Sequence, residues 1–78
     1  MTKAGFQSAI EDILGLSPGT LKDGDGRENI SAWTSLADVQ LFTVISTEFG
    51  IEPDTELLEA DRVGDIVRVL ENRGAFQA

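Results

Sequence analysis

The side chains of this chain that could take part in chemistry are carboxylates and hydroxyls, because the sequence contains no His, Cys or Tyr. Nearly all of them fall in turns or on helix faces that the pattern predicts to be exposed. Catalysis needs such groups placed together around a substrate, and hydrolysis by paired carboxylates needs a cleft between them. A chain of 78 residues whose apolar residues are committed to a core offers little room for a cleft. We therefore do not expect an enzyme.

One hydroxyl, that of Ser35, has an unusual position, directly before an amphipathic segment that runs to Phe49. We predict that Ser35 is the N-cap of this helix, because its oxygen can accept from the unpaired N–H groups of the first turn. Asp38, three residues later, completes a capping-box pattern, and Gly50 is the expected C-terminal stop. By itself this pattern indicates only a helix cap.

The residues around Ser35 resemble the acyl carrier protein family. The string WTSL at residues 33–36 is similar to the W-D-S-L that many members carry, and EFGI at residues 48–51 is similar to the run that ends the same helix in the family. The resemblance covers the chain from about Phe6 to Leu70. One position departs from the pattern, because the usual aspartate before the serine is Thr34 here.

The resemblance implies that Ser35 carries a 4′-phosphopantetheine arm derived from coenzyme A, whose thiol holds an acyl group as a thioester. It also implies partners, namely a phosphopantetheinyl transferase and the acyl-loading and acyl-transferring enzymes of fatty-acid or related lipid or secondary metabolism. The position suits the chemistry, because a phosphodiester on Ser35 would lie at a helix N-terminus, where negative charge is favoured. The arm would supply the thiol that the chain lacks.

Two other functions stay open on the sequence. The load could be an aminoacyl or peptidyl group, because the W-x-S-L form occurs in such carriers too. Alternatively, the chain is a helical protein-interaction module whose Ser35 is never modified. Thr34 favours this second alternative, since a transferase that recognises the usual acid would ignore the chain. The sequence names neither the acyl group nor the pathway.

Length and charge limit the remaining possibilities. A chain of 78 residues is expected to be one domain, residues 1–78, and without Cys or His it has neither a disulfide nor a thiolate or imidazole metal site. The net charge of −8 argues against nucleic-acid binding, which needs basic residues to neutralise phosphates. No apolar run is long enough to span a membrane, and the N-terminus lacks a signal-peptide core. We expect a cytoplasmic monomer.

Hydrophobic periodicity predicts three longer helices and one short helix, arranged as a small all-α four-helix bundle. The first helix is predicted over residues 2–14, with Thr2 as its cap and Gly15 as its end. Glu11 and Asp12 lie off its apolar stripe.

A long connection between the first two helices, residues 15–34, is rich in Gly and cannot be one continuous helix. It keeps apolar residues that are expected to lie on the core, namely Leu16, Leu21, Ile30 and Trp33. Residues 23–26, DGDG, predict a turn. They do not place ligands at the spacing of a calcium-binding EF-hand loop.

The second half of the chain is predicted to hold the short helix and the last long one. The short helix covers residues 55–60, with Leu57 and Leu58 as its apolar residues. Asp61 is the expected N-cap of the last helix, and Gly74 ends it. The tail AFQA is expected to fray, with a return of Phe76 to the core as the alternative. The predicted centre of the core is Phe42, Ile45 and Phe49, surrounded by Phe6, Ile10, Ile66 and Leu70.

The central helix also predicts a partner-binding face. Leu36, Gln40, Thr43 and Thr47 fall opposite the core stripe and carry no charge, while Val39 is placed at the edge of the core. Carriers of the fatty-acid type usually line this side with acids. We therefore expect a specialised carrier whose few partner enzymes grip Leu36 and the neutral face.

Overall fold

The computed structural model describes residues 1–76, which form four helices and no strand. The helices are α1 (Lys3–Leu14), α2 (Ser35–Phe49), α3 (Thr55–Glu59) and α4 (Val63–Asn72). A single isolated β-bridge joins Gly26 to Arg62 within this part of the chain. The all-α class is therefore confirmed. None of the helices in residues 1–76 combines the length and apolar character needed to cross a membrane.

Helix α1 begins and ends at the predicted residues. The Thr2 hydroxyl accepts from the Gly5 N–H at 3.0 Å, and Gly15 ends the helix in the left-handed conformation with φ of 70°. Glu11 lies off the apolar stripe and yet is buried. Its Oε2 accepts from the Leu21 N–H at 3.0 Å. This hydrogen bond offsets part of the cost of burying a carboxylate and fixes the connection onto α1.

The core contains residues from all four helices and from the connection before α2. Its largest fully buried side chains are Phe6, Ile10, Leu41, Ile45, Leu57, Val63, Ile66 and Leu70. Of the three residues predicted at its centre, only Ile45 is fully buried, while Phe42 and Phe49 are half-buried at its edge. The buried face of α2 is centred nearer to Ala37, which the prediction omitted and which is 5% exposed.

The connection between α1 and α2 lies on the core. Trp33 is buried, and Leu16, Leu21 and Ile30 are half-buried against the same cluster, as expected of a loop that keeps apolar residues. Asp23 and Gly24 form the predicted turn. In residues 1–76 no three carboxylate side chains are grouped closely enough to hold a metal ion.

Helix α4 is not capped by Asp61, contrary to the prediction. Arg62 occupies the N-cap position and its side chain makes no cap hydrogen bond. The first N–H groups of the helix, those of Val63 and Gly64, instead donate to the carbonyl oxygens of Asp25 and Asp23, each at 2.9 Å. The loop therefore satisfies the unpaired donors that a capping side chain would otherwise satisfy.

Helix α3 is tied to the end of α4 by ion pairs. Asp54 caps α3 by accepting from the Leu57 N–H at 3.2 Å. The Arg73 guanidinium donates to Asp54 at 2.6 Å and to Glu56 at 2.9 Å. Two hydrogen bonds lower the pKa of Asp54: the one from the Leu57 N–H has the larger effect, and the one from Arg73 comes second. Leu57 is fully buried, whereas Leu58, the other apolar residue predicted for this helix, is 55% exposed.

The end of α4 turns the chain back onto the core. Gly74, with φ of 71°, donates to the Glu71 carbonyl, and the Ala75 N–H donates to the Leu70 carbonyl, both at 3.0 Å. This pair of bonds is a Schellman motif. It directs Phe76 against Phe6 and Phe49, with ring centroids 5.6 and 5.3 Å apart. The expected fraying is therefore wrong for residues 75 and 76, and Gln77 and Ala78 lie outside the described residues.

Phe6→Ala should unfold most of the protein at room temperature. Phe6 is fully buried and its ring contacts both Phe49 and Phe76. Truncating a buried Phe costs about 3–5 kcal/mol, which is most of the about 5 kcal/mol expected of so small a domain. Circular dichroism during thermal unfolding measures the loss.

Val39→Ala is the matched control, because it truncates an apolar side chain of α2 that is 61% exposed. Its unfolding free energy should lie within about 0.5 kcal/mol of wild type. If Phe6→Ala unfolded cooperatively at the same temperature as wild type, the core would not be centred on this ring.

Candidate functional site

Ser35 is the first residue of α2, one position further into the helix than predicted. Thr34 is the N-cap, and its hydroxyl accepts from the Ala37 N–H at 3.4 Å. The Ser35 side chain is exposed, and within residues 1–76 its hydroxyl makes no hydrogen bond. Because the Ser35 hydroxyl does not cap the helix and faces solvent, it is accessible to another molecule.

The backbone around Ser35 favours an anion. In the described part of the chain the N–H groups of Ser35 and Leu36 find no acceptor, while the third donor, Ala37, is bonded to Thr34. Unpaired N–H groups at a helix N-terminus carry the positive end of the helix dipole. A phosphate attached to the Ser35 oxygen would lie beside these donors.

Asp38 does not form the predicted capping box. Its carboxylate accepts two hydrogen bonds from the Arg27 guanidinium, at 2.9 Å from Nη2 and 3.2 Å from Nε. It also accepts from the Trp33 indole N–H at 2.7 Å. Both partners precede α2 in the chain, so Asp38 joins the first turn of the helix to the loop rather than to its own N-cap.

Arg27 connects this turn to the segment between α3 and α4. Its Nη1 donates to the Ala60 carbonyl at 2.8 Å and to the Asp61 carboxylate at 3.0 Å. Its guanidinium carbon lies 5.6 Å from the centroid of the Trp33 ring, within the range of a cation–π contact. The side chains of Arg27 and Asp38 are each only 25% exposed, so their ion pair is partly shielded from water.

Side chains of the loop itself hold Arg27 in place. The Asp25 carboxylate accepts from the Lys22 N–H at 2.9 Å and from the Asn29 amide at 2.8 Å. The pKa of Asp25 is lowered, mainly by the Lys22 N–H and then by Asn29. Asn29 accepts in turn from the Gly26 N–H at 2.8 Å. Gly26, the residue before Arg27, is therefore held between Asp25 and Asn29.

The predicted partner-binding face of α2 is exposed. Leu36 is 66% exposed, and Gln40, Thr43 and Thr47 also face solvent. Val39, predicted at the edge of the core, is 61% exposed, because it lies about 200° around the helix from the buried Ala37. The face therefore holds two apolar residues and no charge. Its role in binding partners stays a prediction.

Four surface grooves of about 280–490 Å³ lie elsewhere on the molecule. The first is next to the C-terminal end of α2, beside Phe49 and Arg73. The second lies along the loop beside Arg27 and Asp61. None of the four is lined by Ser35 or by the exposed face of α2. The candidate site is thus an accessible surface position and not part of these grooves.

Sequence reasoning missed Arg27 and assigned Asp61 a different role. Their contact joins residues 34 positions apart, and local pattern rules do not reach that far. One signal was present, because Arg27 is a basic residue within the acidic stretch from Asp23 to Glu28. Its side chain could have been expected to bind a carboxylate.

No family model, curated protein or solved structure matches this chain. The resemblance to acyl carrier proteins therefore depends on the sequence strings at residues 33–36 and 48–51 and stays a prediction.

Gly26→Ala should destabilise the protein by about 1–3 kcal/mol, the usual cost of overpacking. A Cβ at this position would overlap the Asp61 carbonyl oxygen and lie 3.1 Å from the Arg62 Cα. The loop would then separate from α4, and Arg27 would lose two of its acceptors, the Ala60 carbonyl and the Asp61 carboxylate. Chemical denaturation measures the change.

Gly24→Ala is the control in the same loop, because a Cβ there meets no atom within 4 Å. It should leave stability unchanged or raise it slightly. Equal stability of the two variants would show that the loop does not lie against α4 as described.

Proposed function

We propose that this protein is an acyl carrier protein and that Ser35 carries its 4′-phosphopantetheine arm. The observation that supports this most directly is the exposed Ser35 hydroxyl at the first residue of α2. A phosphodiester formed there would meet the unpaired N–H groups of the first turn. The thiol at the end of the arm would hold the acyl group as a thioester and present it to partner enzymes.

The proposed modification is a phosphoryl transfer. The Ser35 oxygen attacks the coenzyme A phosphorus that bears the pantetheine, and the bond from this phosphorus to the adenosine bisphosphate half breaks. The proton of the hydroxyl passes to a base of the phosphopantetheinyl transferase, and adenosine 3′,5′-bisphosphate leaves. This chain contributes the nucleophilic oxygen and the donors that stabilise the product's charge.

The architecture agrees with this proposal. We infer that the four helices form a carrier-type bundle in which the long connection, residues 15–34, leads to the modified serine. The core holds α2 through Leu41 and Ile45, and Arg27 holds its beginning. A long arm on a fixed helix end can reach different enzymes while the domain itself stays folded.

Thr34 is compatible with this function even though the family usually has aspartate there. Its hydroxyl fills the N-cap position that a carboxylate would also fill, and Thr and Asp are both good N-caps. The substitution therefore preserves the beginning of α2 and removes one negative charge beside Ser35.

The partners we propose are a phosphopantetheinyl transferase and enzymes that load and transfer the acyl group. We place the protein in the cytoplasm as a monomer, in fatty-acid or related lipid or secondary metabolism. The exposed Leu36 and Val39 favour enzymes that contact the carrier through apolar side chains. The same exposed pair would also suit an unmodified interaction module, which is the second candidate.

Incubating the apo protein with coenzyme A and a broad-specificity phosphopantetheinyl transferase should add one arm, detected as one mass increment. Ser35→Ala should add none, because its side chain has no nucleophilic oxygen. Peptide mapping should place the arm on Ser35 and not on the other exposed serines of this region, Ser31 and Ser46.

Thr34→Asp is the informative companion variant, since it restores the family's acid and keeps the cap. If only this variant accepts the arm, the wild-type chain is a relative that has lost modification. If neither accepts it, the unmodified interaction module is the better function.

Binding of the holo protein to its cognate enzyme should depend little on salt and should weaken in Leu36→Ala. Apolar contact is only weakly sensitive to salt, whereas exposed charge pairs are screened within about 8–10 Å at ordinary ionic strength. Removing a contact centred on Leu36 should weaken binding at least about fivefold, the effect of losing more than 1 kcal/mol at a central interface residue.

Leu58→Ala is the matched control, because Leu58 is 55% exposed on α3 and lies outside the α2 face. A steep loss of affinity with salt, without an effect of Leu36→Ala, would show that partners are attracted by the acidic surface instead.

A further inference from the structure

We propose that Arg27 is a positioning residue for the Ser35 site and that it acts by neutralising Asp38. This inference rests on the proposed function, because it concerns the charge that Ser35 would carry once modified. Its structural basis is the bidentate ion pair between the Arg27 guanidinium and the Asp38 carboxylate, with N···O distances of 2.9 and 3.2 Å.

The position of Asp38 makes its charge important. Ser35 and Asp38 are three residues apart on α2, and residues with this spacing are neighbours on a helix surface, with Cβ atoms about 5–6 Å apart. A free carboxylate on Asp38 would therefore repel a phosphate that approaches or is attached to the Ser35 oxygen. The same carboxylate would offset the attraction of the unpaired N–H groups at the helix N-terminus.

The surroundings of Asp38 remove this conflict. Arg27 brings a positive charge against the carboxylate through two hydrogen bonds, and the Trp33 indole N–H donates a third at 2.7 Å. Because both members of the ion pair are only 25% exposed, water screens it less than an ordinary surface pair. The beginning of α2 thus keeps its preference for an anion despite an acidic residue, Asp38, in its first turn.

Arg27 is also suited to this role because its position does not depend on Asp38 alone. The Ala60 carbonyl and the Asp61 carboxylate hold the other edge of the guanidinium. An arginine that was only a structural tie would need the same bonds. Removing the charge of Asp38 distinguishes the two roles. It should compensate for the loss of Arg27 only if Arg27 acts by neutralising Asp38.

The first experiment needs no transferase. Ser35→Asp places a carboxylate at the modification position, and in the wild-type background it should raise the midpoint of thermal unfolding by about 2–5 °C, because acids are favoured in the first turn of a helix. In the Arg27→Gln background this gain should disappear, because repulsion from the unpaired Asp38 carboxylate offsets it. In the Arg27→Gln, Asp38→Asn background Ser35→Asp should raise the midpoint again.

The second experiment measures kcat/KM for transfer of the arm from coenzyme A. Arg27→Gln should lower it about two- to fivefold, the effect of one charge at a helix terminus. The loss should shrink at high salt. Asp38→Asn added to Arg27→Gln should restore the wild-type value, and Arg27→Lys should retain most of it.

Arg68→Gln is the matched control, because it removes the same charge from an exposed position of α4 and should match wild type in both experiments. Two results would overturn the inference: Arg27→Gln behaving like wild type, or Arg27→Gln being impaired without recovery by Asp38→Asn. If the wild-type chain accepts no arm, the proposed function fails, and the thermal experiment still decides the role of Arg27.

Discussion

The contact between the loop and the beginning of α4 is the constraint on which the rest of this structure depends. The carbonyl oxygens of Asp23 and Asp25 take the first two N–H groups of α4, and Gly26 lies so close to Asp61 that a side chain would not fit between them. The chain has no disulfide and no His or Cys for a metal. Backbone hydrogen bonds therefore fix this loop and offset the conformational entropy that is lost when it becomes ordered.

Fixing the loop places Arg27 between two segments that are far apart in the sequence. Isolated surface ion pairs contribute little to stability, but a half-buried guanidinium with carboxylate and carbonyl acceptors on both edges makes stronger, charge-assisted bonds. Because the backbone is already held on both sides of Arg27, little further entropy is lost when these bonds form. The first turn of α2, and with it Ser35, is consequently positioned by the loop rather than by neighbouring helices alone.

The sequence predicted those features that depend on neighbouring residues and missed those that depend on distant ones. The bounds of α1 follow from Thr2 and Gly15, which act within one turn of the helix end, and Ile66 and Leu70 of α4 are buried as predicted. Ser35 was wrongly predicted as the N-cap in place of Thr34, because Asp38 matched a capping box with Ser35. The contacts that divert Asp38, from Arg27 and Trp33, become visible only in three dimensions.

At the candidate site, too, some features followed from neighbouring residues and others did not. The exposure of Leu36, Gln40, Thr43 and Thr47 followed from helical periodicity, whereas that of Val39 required knowing where the buried face is centred. A small residue, Ala37, marks that centre, and hydrophobic patterns give little weight to alanine. The modification of Ser35 stays a proposal, because periodicity places a hydroxyl but does not say what is bonded to it.

The distribution of acids explains why the face beside Ser35 differs from the rest of the surface. Of the 14 carboxylates in the chain, Asp38 is paired with Arg27 and Glu11 is buried against the loop, so neither presents a free charge there. Leu36 and Val39 are three residues apart and thus adjacent on the helix. Isolated apolar residues are common on protein surfaces, but this pair lies directly beside the proposed attachment site. Under the proposed function, an enzyme that acts on the Ser35 oxygen would also cover Leu36, and we therefore propose that its contact surface is apolar at that point.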